Sequence, residues 1–164
     1  YIMMIGLKTS ALIAGSAKLG AVLGGADAKS AEALYRYGYD LGLAFQITDD
    51  YLDTFGDPAV FGKNIGGDIV NNKKTWLYVE AARLASGEQK TRFGEIFRMG
   101  EDRAAEKIAA AQQLFTEIGV KDNAEKAIEH YFHKAMETVE ALSLGAQKLS
   151  LLEEFATQIT YRRK

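Results

Sequence analysis

The 164-residue sequence contains no cysteine and a single proline, Pro58. Without thiols there is no disulfide framework and no thiolate metal site; a cytoplasmic setting is thereby allowed, and it is the one expected. Neither charge sign dominates. Twenty Lys and Arg face 22 Asp and Glu, and a formal charge of −2 gives no general pull toward nucleic acid or anionic lipid. No uninterrupted apolar run approaches the ~20 residues of a bilayer span, so no membrane segment is expected. No signal-peptide layout is visible. Strand signals are also nearly missing, because no sustained apolar/polar alternation is bounded by hairpin turns. What is present is 48% hydrophobic and 26% charged, the balance of one domain with a buried core. The first residue is Tyr1, set inside an apolar helical pattern. It suggests a piece of a longer chain.

Helical spacing recurs throughout. Ala124, Ile128, Tyr131, Ala135, Val139 and Leu142 step by threes and fours, as do Ile108, Ala111, Leu114, Phe115 and Ile118, and again Leu149, Leu152, Ala156 and Ile159. Gly119 supplies a stop, and Asp122 with Glu125 reads as the capping box of the next helix. The spacing predicts an all-α fold with helices near 1–23, 28–55, 70–85, 88–98, 102–118, 123–142 and 146–160. Between Phe55 and Ile69 lies a long connection holding the proline and four of the 16 glycines, the composition of a functional or mobile loop.

The segment Leu41–Asp53 is apolar nearly all round, the mark of a helix buried in a bundle, yet it carries Asp49, Asp50 and Asp53. Asp49 and Asp53 share a face, with Gln46 one turn earlier. Exposed like charges at this spacing cost only ~0.2–0.5 kcal/mol, but partial burial adds the loss of hydration. Protonation, basic partners or a divalent cation could offset that cost. Hard oxygen ligands favour Mg²⁺ or Ca²⁺ over softer metals, and a solvated acidic corner is the plainer alternative.

Three basic features stand out. Lys8-Thr9 interrupts an otherwise almost uncharged helix, where a snorkelling lysine and a helix-bonded threonine would be the ordinary reading. Lys63 lies in the glycine-rich connection, followed by Lys73-Lys74; Gly62-Lys63 is not a P-loop, because no strand precedes it and Asn64 replaces Ser or Thr. The chain ends Tyr161-Arg162-Arg163-Lys164, either a frayed helix end or a flap over an anion. His130 and His133 lack the companions of a metal site. No glycine-framed serine suggests a nucleophile.

Taken in order, these pieces resemble the trans-isoprenyl diphosphate synthases, the family of farnesyl and geranylgeranyl diphosphate synthases. Phe45-Gln46-x-x-Asp49-Asp50-x-x-Asp53 is similar to the family's second aspartate-rich motif. It is followed in family order by Phe55-Gly56-Asp57-Pro58, by Gly62-Lys63-x-x-Gly66-x-Asp68-Ile69 and by Lys73-x-Thr75. Lys8-Thr9 resembles the upstream Lys-Thr pair, and the terminal basic residues resemble the tail of many farnesyl diphosphate synthases. The first aspartate-rich motif has no counterpart here. The resemblance therefore implies the C-terminal portion of a single isoprenoid-synthase helical bundle over 1–164, inactive alone.

The implied chemistry is Mg²⁺-assisted condensation of an allylic diphosphate with isopentenyl diphosphate, with Mn²⁺ as a possible substitute. Asp49 would coordinate metal with help from Asp50 and Asp53, while Asp68 and Lys73 stand behind them. Lys8 and Lys63 would neutralise the leaving diphosphate. Thr9 and Gln46 would turn oxygens toward the carbocation, and Arg163 and Lys164 would cover isopentenyl diphosphate. The resemblance also implies a homodimer or other self-association, and a non-catalytic partner subunit is the alternative role.

Overall fold

The structure is a computed structural model that describes residues 1–57, 59 and 65–161. Among these residues every regular element is helical and no strand occurs, as the spacing predicts. Helix α1 covers Ile2–Leu23, followed by α2 (Ala28–Phe55), α3 (Gly67–Val70), α4 (Trp76–Leu84) and α5 (Gly87–Ile96). A 3₁₀ turn at Glu101–Arg103 leads into α6 (Ala104–Glu117), then α7 (Val120–Glu140) and α8 (Ala146–Thr160).

Helices α2 and α8 have the predicted bounds. Helix α2 starts where Asp27 caps it: the Ser30 N–H and hydroxyl donate to the Asp27 carboxylate at 2.9 and 3.1 Å. Elsewhere local chemistry moves the boundaries. The predicted helix 70–85 is two helices, because Asn72 takes a left-handed conformation (φ 53°) and Thr75 caps α4 by accepting the Tyr78 N–H at 3.2 Å. The predicted 123–142 begins at Val120 instead. Gly119, at φ 77°, reverses the chain in one residue, so that Asn123 N–H reaches Gly119 O at 3.1 Å and Asp122 falls inside the first turn rather than capping it. Ser86 and Gln89 form the reciprocal cap that starts α5 one residue early. Within α1, Gly6–Ser10 forms a π turn in which Ala11 N–H donates to Gly6 O, a deviation that apolar periodicity does not reveal.

The residues form two compact units. One contains Ile2–Thr48 and the described residues from Ala127 to Tyr161. Its core joins Tyr37 and Leu41 to Ala135, Met136, Val139 and Ala156, and the Tyr37 hydroxyl donates to Leu152 O at 2.7 Å. In this unit α1 and α2 meet backbone to backbone. A Cβ on Gly42 would lie 2.6 Å from Ser10 Cα, and one on Gly38 would lie 2.9 Å from Ala14 Cα. The opposite face of α1 is apolar and open, with Met3, Leu7, Leu12 and Leu23 each at least 74% exposed.

Ile2–Leu23 carries only Lys8 and Lys18 as charges and is long and apolar enough to cross a membrane by length and composition, although no uninterrupted apolar run is. A bundle helix with one apolar face packed and another open has the same description.

The second unit contains Tyr1 and Asp49–Lys126. Ile69, Leu77, Ala81, Ile96, Ala111, Leu114, Phe115 and Val120 form its core. Tyr78, Phe93 and Phe97 pack edge-on and tilted beside it, with ring centroids 4.7–5.0 Å apart. Val70, Asn72 and Met99 are tied to α6 by Lys107.

The glycine contact makes a direct prediction. Gly42→Ala should lower stability by about 1–3 kcal/mol, because the new methyl meets the Ser10 backbone. Gly94→Ala, inside α5 with only the end of Arg98 nearby, should raise stability by about 0.5–1 kcal/mol. Urea melts of the two variants check this; the same sign for both would contradict the close approach.

Candidate functional site

One uninterrupted helix, α2, carries Gln46, Asp49, Asp50 and Asp53. The three carboxylates meet different surroundings. Asp49 is exposed. Asp50 is 4% exposed and held on its Oδ2 by two donors, the Tyr1 hydroxyl and the Trp76 N–H, the latter at 2.7 Å. Trp76 is the first residue of α4, so the buried Asp50 charge lies at a helix N-terminus whose N–H groups lack intrahelical partners. Burial, and then the adjacent Asp50 charge, hold the Tyr1 hydroxyl protonated far above the ordinary tyrosine range, which keeps it a donor.

Asp53 is half-buried. Its Oδ2 accepts the Asp68 N–H at 2.9 Å, and its backbone carbonyl accepts the Gly66 N–H at 2.5 Å. These bonds dock the start of α3 against the end of α2. Asp68 in turn pairs with Lys73 at 2.5 Å, and the Lys73 N–H donates to Asp68 O at 2.9 Å. Burial raises the Asp53 pKa above the ordinary carboxylate range, and the Asp68 and Asp49 charges raise it further, while the Asp68 N–H and Lys73 act in the opposite direction. The Lys73 ammonium is held more strongly protonated, first by its bond to Asp68 and then by the charges of Asp68, Asp53 and Asp50.

In the other unit, the Thr9 hydroxyl donates to Gln46 Oε1 at 2.9 Å, with Lys8 exposed beside it on the π turn. The helix-satisfied threonine expected as the ordinary case is not what occurs: its hydroxyl goes to a side chain 37 residues away. Pi turns recur where a helix must aim side chains at a ligand. Lys63, Arg163 and Lys164 lie outside the described residues.

The structure therefore brings Asp53, Asp68 and Lys73 together, and separately Thr9 with Gln46. Among the described residues no group of three or more His, Cys, Asp or Glu converges to hold a metal by itself. Asp49 and Asp53 stand one turn apart on α2, and burial first, then the Asp68 and Asp49 charges, raises the Asp53 pKa above its ordinary value. The pair fits Mg²⁺, which takes one or two carboxylates and completes its octahedron with water and phosphate oxygens. Sequence reasoning missed Tyr1 and the Trp76 N–H as partners of Asp50. The first is a lone aromatic remote in sequence, and the second is a backbone group with no side-chain signature.

A sign follows for Asp53. Its folded-state pKa lies above the unfolded value, so its ionised form costs stability above that pKa, and the cost fades as pH falls through it. Asp53→Asn, which still accepts the Asp68 N–H, should raise metal-free stability at pH 7. Solvent screening limits the gain to less than about 1 kcal/mol, roughly 2–4 °C at most. Thermal melts in a chelator should show that gain shrinking as pH falls toward about 4 and lost below it. A lower melting temperature for the Asn variant at pH 7 would contradict the repulsion.

The polyprenyl synthetase family profile matches residues 1–115. The chain is 35% identical over 160 residues to a short chain isoprenyl diphosphate synthase of Methanothermobacter thermautotrophicus, covering 96% of this chain and 48% of the relative. It superposes on a crystal structure of a geranylgeranyl pyrophosphate synthase with TM-score 0.90 and 39% identity, covering 100% of this chain and 51% of the other. A geranylgeranyl pyrophosphate synthase from Corynebacterium glutamicum, complexed with isoprenyl diphosphate and magnesium, gives TM-score 0.74 and 30% identity over 88% of this chain and 41% of that one. The chain spans about half the length of these relatives.

Proposed function

The chain belongs to the polyprenyl synthetase family, and on that premise we propose that it supplies the diphosphate-ionising part of a prenyltransferase. The reaction is condensation of an allylic diphosphate with isopentenyl diphosphate, giving a diphosphate one isoprene unit longer. The observation that carries this reading is the Asp49–Asp53 pair one turn apart on a largely apolar helix, backed by Asp68 and Lys73. The magnesium and isoprenyl diphosphate complexed with the Corynebacterium glutamicum relative support it.

The chemical difficulty is the negative charge that builds on the departing diphosphate. Bound Mg²⁺, or Mn²⁺ in its place, would neutralise that charge and orient the phosphate oxygens. Asp49 and Asp53 would hold the ion. Asp50, fixed by Tyr1 and Trp76, adds negative field and anchors the helix rather than swinging toward solvent. Asp68 holds Asp53 in place through its N–H, and Lys73 partly neutralises the pair. Lys8 and Lys63 would take the remaining diphosphate charge. The Thr9–Gln46 bond fixes the Gln46 carboxamide, whose oxygen would face the allylic cation without capturing it. Arg163 and Lys164 would close over isopentenyl diphosphate and exclude water.

Two further parts of the reading concern assembly. Because the relatives are about twice as long, the missing acidic motif and allylic pocket would come from a complementary half of the same fold. The open apolar face of α1 is suited to burial against such a partner or in self-association. The cysteine-free composition fits a cytoplasmic site of action.

In the assembled enzyme, Asp49→Ala should lower condensation of allylic diphosphate with isopentenyl diphosphate by at least about 10²-fold, and chelation of Mg²⁺ should abolish it. Residues 1–164 alone should show negligible turnover. Product analysis by radiolabelled isopentenyl diphosphate incorporation checks both; undiminished product from Asp49→Ala would defeat the metal assignment, and a silent assembled enzyme would favour a non-catalytic partner subunit.

A further inference from the structure

Lys107 is 1% exposed, among the largest fully buried side chains of the described residues. It lies on the buried stripe of α6, one turn before Ala111. Its ammonium has three hydrogens and meets three acceptors: Val70 O at 3.1 Å, Asn72 Oδ1 at 2.7 Å and Met99 O at 3.1 Å. The face of Phe97 lies 5.9 Å away. None of these acceptors is a carboxylate. A buried charge without a counter-ion is retained at a cost, and a packed apolar side chain would be the cheaper way to fill the space. Something other than bulk stability is therefore needed to account for it.

The acceptors show what that is. Val70 closes α3, the four-residue helix that carries Asp68, and Asn72 sits in the left-handed turn directly after it. Asn is one of the few non-glycine residues that enter that conformation readily, and here its side chain is bonded to Lys107. Lys107 grips the turn at both its backbone and its side chain. The next residue is Lys73, whose N–H and ammonium both bond Asp68. The Asp68 N–H then bonds Asp53. We propose that Lys107 is a positioning residue: through the Val70–Asn72 turn it sets the Asp68–Lys73 pair against Asp53, and so fixes the carboxylate that is to hold the diphosphate's metal. This rests on the function proposed above only for what the carboxylate does, not for how it is held.

Amide hydrogen exchange by NMR on the 164-residue chain reads the positioning directly. In Lys107→Met the Asp68 and Lys73 amides should exchange at least 10-fold faster, while the slowest amides of α4 keep their rates. Asn72→Gly, which favours the same turn but removes one acceptor, should speed the same two amides about threefold, and it serves where Lys107→Met does not fold. Unchanged exchange at Asp68 and Lys73, or an increase shared equally by α4, would overturn the proposal as mere packing. In the assembled enzyme, titration with Mg²⁺ and inorganic pyrophosphate should show at least fivefold weaker binding for Asn72→Gly and Lys107→Met. The core control Leu77→Ala should bind like the unsubstituted enzyme; a control weakened as much as Lys107→Met would count against positioning. Loss of pyrophosphate binding in the unsubstituted enzyme would defeat the functional reading, whereas intact binding with unmoved Asp68 and Lys73 amides would defeat this inference alone.

Discussion

Carboxylates placed within four residues of one another on an apolar helix repel, and the arrangement of the second unit follows from how that repulsion is managed. Each of the three clustered acids is treated differently. Asp50 is withdrawn into the interior and given two donors, one of them at the start of α4. Asp53 is kept at the boundary and given only the Asp68 N–H on its carboxylate, so that burial and its acidic neighbours keep its proton affinity high. Asp49 is left in solvent.

The supports of this cluster come from three levels. Capping chemistry starts α4 at Thr75, which places the Trp76 N–H under Asp50. The left-handed Asn72 turns the chain so that Lys73 folds back on Asp68. Packing of α6 then holds the turn through Lys107. In the other unit a glycine lets α1 approach α2 closely enough for Thr9 to reach Gln46, and the π turn lies at the same level of the helix. Backbone geometry therefore sets the polar contacts in both units, and the side chains that contact one another are remote in sequence.

Much of this was legible from the residues. The apolar periodicity located α2 and α8 to the residue because strong caps or abrupt composition changes bound them, Asp27 in the first case. The acidic cluster stood out because charge is rare on a buried face. The break between α3 and α4 was not legible: Asn71-Asn72-Lys73-Lys74 carries no proline or glycine, and its left-handed turn is stabilised by a lysine 35 residues away. The π turn left no trace, since one extra residue in a turn shifts the apolar phase too little in a helix this greasy. Lys107 left a weak one, because a lysine four residues before Ala111 falls on the predicted core stripe. Surface scatter of lysines on Ala-rich helices concealed it.

Asp49 and Asp53, and not Asp50, are the residues we propose hold the cation. A crystal structure of the assembled enzyme grown with Mg²⁺ and inorganic pyrophosphate tests that assignment most directly. The expected result is an octahedral ion bonded to Asp49 and Asp53 at about 2.0–2.1 Å, bridged to pyrophosphate oxygens, with Asp50 still held by Tyr1 and the Trp76 N–H. An ion seated on Asp50, or pyrophosphate bound with no ion on α2, would contradict it.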